Sequence, residues 1–244
     1  MPHCFLIAFE QSLGAIIEGM NMLNFAAALI AFLGAHVVPR ATGLRDWGIN
    51  RFGRRVYMSA YSLMSLGLLV WLVVAALNAP YIGLWVTTQA SAAVAIAMMF
   101  VACILFATGA TRANSQSISF RGGETDIEQP GVLALVRHPI ILGFLFWAAA
   151  HLLVNGDVVG VILFGGMLVF SAFGMRIAQK RAEARLTAPQ VAEFRAVANG
   201  PIAHRLGRAM SPKFLLEVLA GILFFFVLLF GHEHFIGVSP LAYF

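Results

Sequence analysis

The sequence predicts an all-α protein: a polytopic transmembrane helical bundle of about six spanning helices, with both termini outside. Three observations carry this reading. Sixty per cent of the 244 residues are hydrophobic and 11% are charged, whereas soluble domains are roughly half apolar with about a quarter charged. Several separate apolar runs reach the ~17–25 residues that a spanning helix needs. Lysine and arginine are concentrated in alternate loops, as they are when charge sets membrane topology.

The six segments follow in order. The first runs from about Met22 to Val38, the second from Met58 to Leu77, and the third from Leu84 to Ala107. The fourth runs from Val132 to Val154, the fifth from Val158 to Met175, and the sixth from Phe214 to Phe230. The first loop carries Arg40, Arg45, Arg51, Arg54 and Arg55 against Asp46. The fifth carries eight Lys or Arg, from Arg176 to Lys213, against Glu183 and Glu193. The second and fourth loops have none, and the third is nearly balanced. Positive-inside therefore puts loops one, three and five in the cytoplasm. The net charge of +5 is accounted for by these flanks and gives no reason to expect a nucleic-acid partner. The partner expected is the lipid bilayer.

Residues 1–21 contain Glu10 and Glu18 but no Lys or Arg. A secretory signal peptide has a positive n-region, so this stretch reads as an N-terminal extension or interfacial segment, with Met20 or Met22 as alternative starts. Cys4 and Cys103 are placed too far apart to suggest a disulfide or a cysteine metal site.

The turn Asn155-Gly156-Asp157 predicts an antiparallel hairpin of segments four and five. Gly160, Gly165 and Gly166 suit close backbone approach. Within residues 181–212, a basic cytoplasmic loop, Thr187 and Gln190 fit a capping box. Asn199-Gly200-Pro201 is a stop signal. Val191, Phe194 and Val197 between them mark a short amphipathic helix. Residues 213–244 hold the last spanning helix and a tail.

Ionisable residues at membrane depth are the candidates for chemistry. His36 ends the first segment, and Arg137-His138-Pro139 opens the fourth, so the two histidines share a depth in the cytoplasmic half. His151 lies thirteen residues beyond His138, about 20 Å along a helix, near the outer turn. A haem takes two axial ligands on opposite faces of one iron, about 4 Å apart for nitrogens bound at ~2 Å. His36 and His138, on different helices at matched depth, could meet that requirement; His138 and His151 on one unbroken helix could not. Arg137 supplies a cation for a propionate or another anionic group. The competing reading is that each histidine hydrogen-bonds a neighbouring helix. Pro139 loosens the helix start, and Gly143 leaves room there for a flat ligand. Elsewhere, Thr87, Thr88, Gln89 and Ser91 suit interhelical hydrogen bonds, and Glu217 is four residues from Lys213, which suits an interfacial ion pair. His232-Glu233-His234 has the look of a metal clip, although such tails are more often solvated.

The stretch "LVRHPIILGFLFWAAAHLLVNGD" resembles the NnrU family. The resemblance rests on Arg137, His138, Pro139, Gly143, Trp147, Ala150, His151, Leu152, Leu153, Asn155, Gly156 and Asp157. "FLGAHVVPR" around His36 and the Arg-rich first loop leading to "YSLMSLGLLV" are similar as well. The resemblance covers most of residues 22–180, which read as the family's transmembrane core.

The resemblance implies a multi-pass protein of the bacterial inner membrane associated with denitrification, in an accessory or redox-sensing role in nitrite and nitric oxide metabolism. The related plant and cyanobacterial 15-cis-zeta-carotene isomerases use haem b with histidine ligation. By that relation, His36 and either His138 or His151 are haem-iron ligands. A haem-dependent polyene isomerase acting on a hydrophobic small molecule is then the alternative activity. The chain is also similar, more distantly, to the isoprenylcysteine carboxyl methyltransferase group, whose Arg-His-Pro stretch binds S-adenosylmethionine. Here Ile141 stands at that group's Tyr position, and only Glu183 stands for its paired acids.

Overall fold

The computed structural model describes residues 2–121 and 123–244; the side chains of residues 2–13, 15, 16, 40, 193–195, 197 and 198 are outside that description. The expectations made on Cys4, Glu10, Arg40, Glu193, Phe194, Arg195 and Val197 therefore fall outside the described residues. The described chain is helical, with five helices long and apolar enough to cross a membrane and one shorter apolar helix. It divides into two compact units, one ending at Ile82 and one covering Gly83–Phe244.

In the first unit, α1 (Pro2–Ala41) and α3 (Arg54–Leu77) pack together. Residues 2–21, set apart above as an extension, are the first half of α1, and the apolar span itself begins at Ile17. Phe25 and Ala28, one turn apart on α1, are buried, as are Leu72 and Ala75 on α3. Trp71 donates its indole N–H to Asn24 at 3.1 Å across the pair. The Arg-rich loop contains a helix that the charge pattern concealed, α2 (Leu44–Phe52). Gly43 (φ 77°) and Gly53 (φ 81°) bracket it, both in the left-handed region that favours glycine.

In the second unit, α4 (Gln89–Ala110) packs against both α5 (Pro139–Val154) and α9 (Pro212–Ile236). The helix after the hairpin, α6 (Val158–Arg185), packs on α5 and carries a π turn at Val161–Gly165. It runs ten residues past the expected end at Met175.

The third segment starts later than expected, at Gln89, because Thr88 caps it. Thr88 Oγ1 accepts from Ser91 N at 3.2 Å, and Thr88 N donates to Ser91 Oγ at 2.9 Å. These two residues thus make a local cap rather than interhelical bonds, whereas Thr87 does reach α5, donating to Val154 O at 2.7 Å. Thr88→Ala is expected to cost about 1 kcal/mol, read as a lower midpoint of helicity loss on heating the detergent-solubilised protein. An unchanged midpoint would show that the cap contributes nothing.

The fourth segment is not one span from Val132 to Val154. Gly131–Ala134 forms a 3₁₀ turn, and helix α5 begins only at Pro139, leaving 16 residues. That is about 24 Å of helix at 1.5 Å per residue, short of the ~30 Å hydrocarbon thickness. Proline is the physical reason: it disfavours helical conformation in the residue before it, and His138 sits at φ −123°, ψ 62°.

The Asn155-Gly156-Asp157 turn does join α5 to α6 antiparallel, with Asp157 capping α6 through Gly160 N at 3.0 Å. The glycines act differently from expectation. Gly165 and Gly166 face open space, and Gly160 abuts its own turn at Asn155. Close helix approach falls instead at Gly109, Gly143 and Gly221. A Cβ on Gly109 would lie 2.9 Å from Ile140, and one on Gly221 would lie 2.7 Å from the Ile104 Cα. Gly156 is also tightly held: Leu84 N and Trp85 N both donate to its carbonyl, at 2.7 and 3.1 Å.

The basic loop holds two helices, not one. The first, α7 (Ala188–Ala198), carries the expected capping box of Thr187 and Gln190. The second, α8 (Ile202–Ala209), was concealed behind the Asn199-Gly200-Pro201 stop. Arg205 of α8 donates to the carbonyls of Ala134 (2.8 Å) and Leu135, and Arg208 donates to that of Ile127 at 3.0 Å. These arginines therefore satisfy the backbone of the non-helical stretch before α5. Ala209 and Phe214 join Leu105, Val132, Leu133 and Ala134 in the buried core beneath it.

Candidate functional site

His36 bridges α1 and α3 in the first unit. Its Nδ1 is 2.7 Å from Phe32 O and its Nε2 is 3.2 Å from Ser65 Oγ. With Nδ1 protonated, Nε2 accepts from the serine hydroxyl. The ring rests against Phe32 (4.5 Å between centroids) and Tyr61 (5.8 Å). Both nitrogens are thus engaged, which is the arrangement of an interhelical hydrogen-bonding histidine.

His138 belongs to the second unit and precedes α5. It is buried, and among the described residues its Nδ1 has no hydrogen-bond partner. Gln179 of α6 is its side-chain neighbour. The Arg137 carbonyl accepts from Asn114 Nδ2 at 2.9 Å, which fixes the backbone at this helix start. The room expected beside Gly143 is filled: a Cβ there would lie 3.0 Å from the Phe106 ring.

His151 occupies the far end of α5. Its Nδ1 is 2.9 Å from Trp147 O, one turn back. If Nδ1 carries the proton, Nε2 presents a free lone pair. The ring lies 5.0 Å from Trp147 and 4.9 Å from Phe164, which belongs to the π turn. Such turns interrupt helices frequently at functional sites. His232 of α9 reaches the same cluster, with its ring centroid 6.4 Å from that of His151 and the planes at 37°. His232 Nδ1 is 2.7 Å from Val238 O, in the segment that follows the Gly237 C-cap. The metal clip read from His232-Glu233-His234 does not assemble: His234 stacks edgewise on Phe235 at 5.2 Å. Among the described residues, no group of three or more His, Cys, Asp or Glu is placed to hold a metal ion.

The structure therefore brings His151 together with His232, a residue not paired with it in the sequence reading. His36 lies in the first unit, while Arg137, His138 and His151 lie in the second. His138 and His151 stand at opposite ends of α5.

Sequence reasoning also missed a second polar centre. Glu217 does not pair with Lys213. Its Oε2 accepts from Arg112 Nε at 2.8 Å, and its Oε1 accepts from Thr111 Oγ1 at 2.8 Å. Both side chains of the ion pair are 5% exposed. Arg112 also donates to Gln129 O, and its guanidinium lies over Gly131 so closely that a Cβ there would sit 2.1 Å from Cζ. Cys103, on α4, is a buried free thiol.

A family model described as NnrU protein matches residues 24–240. No curated protein and no solved structure matches the chain.

Proposed function

The chain belongs to the NnrU family, and from that membership we propose that it is a haem b protein of the bacterial inner membrane with an accessory or redox-sensing role in nitrite and nitric oxide metabolism. Loops one, three and five face the cytoplasm in this reading. The observation that carries it is the state of His151. A metal-ligating histidine characteristically donates its other ring nitrogen to a carbonyl or carboxylate, which fixes tautomer and ring orientation. His151 does this through Nδ1 to Trp147 O, and Trp147 and Phe164 hold the ring from its sides.

The residues fit a haem better than a bare metal ion. A bare ion held by protein takes three or four ligands, which the described residues do not assemble. A haem brings four nitrogens of its own and asks the protein for axial ligands only. When bound, it supplies an iron that cycles between ferrous and ferric states. The protein's part is to orient His151 and to wall its ring with aromatic side chains. Among the other candidates, His36 must give up its Ser65 hydrogen bond to ligate, whereas His138 has a nitrogen to offer.

The test is spectroscopic. Protein purified in detergent after expression with ample haem is expected to show a Soret band, which His151→Ala weakens or shifts. A wild-type protein with no Soret band under these conditions overturns the haem reading. For the physiological role, deletion of the gene is expected to slow whole-cell nitric oxide reduction, with recovery by the wild type but not by His151→Ala.

A further inference from the structure

We propose that the cavity where α4 ends and α9 begins binds the headgroup of a zwitterionic phospholipid of the phosphoethanolamine class. The site lies wholly within the second unit and stands independently of the haem reading. Its volume is about 200 Å³. Arg112 lines it and is buried, while Arg121, Glu124, Asp126 and Lys213 line it and are exposed.

The first observation is the balance of charge. Arg112 is already neutralised by Glu217 at 2.8 Å. Two cations remain, Arg121 and Lys213, with two carboxylates, Glu124 and Asp126. Among the described residues, none of these four is within ion-pair distance of an opposite charge. A simple anion would meet both carboxylates as well as both cations, and a simple cation would meet the converse. A ligand carrying both signs satisfies the two pairs together. Arginine and lysine are the usual partners of a phosphate, and a primary ammonium offers three donors to the carboxylates.

The second is that the rim is held in place. The Ser119 hydroxyl donates to Arg112 O at 2.7 Å and accepts from Arg121 N at 3.1 Å, tying the segment that carries Arg121 to the end of α4. Asp126 Oδ1 accepts from Glu128 N and Gln129 N, both at 3.0 Å, which fixes the carboxylate and leaves Oδ2 for a ligand. Arg112 Nη2 is a buried donor with no partner among the described residues. Such a donor is costly unless something accepts from it.

The third observation identifies the source of the headgroup. Ile118 and Phe120, 54% and 76% exposed, stand just before Arg121 in the same loop. Leu215, Leu216 and Leu219, each more than half exposed, follow Lys213 on α9, a helix long and apolar enough to span the bilayer. Cations beside such side chains belong at the boundary between hydrocarbon and water, which is the level of lipid phosphates. Basic pockets at this level commonly take anionic lipids; here Glu124 and Asp126 oppose that choice and favour a headgroup with its own ammonium.

The test uses the full-length protein in a neutral detergent. Equal amounts of dioleoyl phosphatidylethanolamine, phosphatidylcholine and phosphatidylglycerol are added, and the lipid retained is counted by native mass spectrometry. Phosphatidylethanolamine is expected to be retained about fivefold more than either of the others, the most that an exposed ion pair usually contributes. Choline has no N–H to donate, and phosphatidylglycerol has no cation. The double variant Arg121→Gln, Lys213→Gln is expected to lower retention of all three lipids. The double variant Glu124→Gln, Asp126→Asn is expected to remove the preference over phosphatidylglycerol while phosphatidylglycerol stays bound, an outcome that misfolding would not give. Equal retention of the three lipids by the wild type overturns the proposal, as does a preference unchanged in Glu124→Gln, Asp126→Asn. Displacement of the lipid by an equal concentration of soluble phosphoethanolamine overturns the assignment to a lipid.

Discussion

Glu217→Ala is expected to destabilise the second unit by about 3–5 kcal/mol, the cost of removing one partner of a buried ion pair. The reason is what remains behind. Arg112 is 5% exposed, its Nη2 already lacks a partner among the described residues, and its Nε would lose the carboxylate at 2.8 Å. Thr111 would lose the shortest of its hydrogen bonds as well. The measurement is thermal or denaturant unfolding in detergent, followed by helicity. The double variant Arg112→Met, Glu217→Leu supplies the contrast. Replacing both partners by apolar side chains is often neutral or stabilising, so the double variant is expected to recover most of what the single one loses. Equal losses in the single and double variants would show that the pair acts through packing, not charge.

The location of this pair explains why so much is staked on it. Arg112 follows the end of α4, and Glu217 lies in the second turn of α9. Gln129 precedes the 3₁₀ turn that leads to His138 and α5. One guanidinium thus ties two helices to the non-helical stretch at the basic end, while Arg205 and Arg208 of α8 bind the next carbonyls along the same stretch. Without these donors, the backbone of residues 127–135 would carry unsatisfied acceptors, each costly away from water.

Much of the architecture was legible from composition and loop charge, because hydrocarbon thickness dictates helix length. The exceptions have separate physical causes. An apolar run does not reveal that it has stopped being a helix, so Val132–Val154 read as one span. Pro139 was visible, but the non-helical stretch before it is also held by Arg205 of α8, about seventy residues downstream. Glu217 was paired with Lys213 because a single helix offers only neighbours three or four residues apart; Arg112 is 105 positions away. His232 was within reach of sequence reasoning. His151 ends the fourth segment and His232 follows the sixth, both at the end away from the basic loops. Matched depth, the same criterion that paired His36 with His138, pairs these two as well. The three-residue pattern His232-Glu233-His234 drew attention along the chain instead of across it.

Gly221→Val is expected to cost about 1–3 kcal/mol, the usual range for overpacking a well-packed contact. The contact in question is between backbones. A Cβ on Gly221 would lie 2.7 Å from the Ile104 Cα and 3.1 Å from the Cys103 carbonyl oxygen. A flexible side chain could rotate away, but a helix backbone cannot, so α9 must move from α4. Small residues of this kind are what allow membrane helices to approach closely when no hydrophobic force drives them together. The size of the effect is checked by unfolding in detergent, with Gly67→Ala as the reference. Gly67 lies mid-helix in α3 with nothing within 4 Å of an added Cβ, so alanine there is expected to be neutral or stabilising by up to about 1 kcal/mol. Unchanged stability in Gly221→Val would mean that α9 is not seated on α4 as described. The consequence extends along α9, since Glu217 lies one turn before Gly221 and His232 lies three turns after it. Displacement of α9 at its closest contact therefore strains the Arg112 pair at one end and the His151–His232 pair at the other.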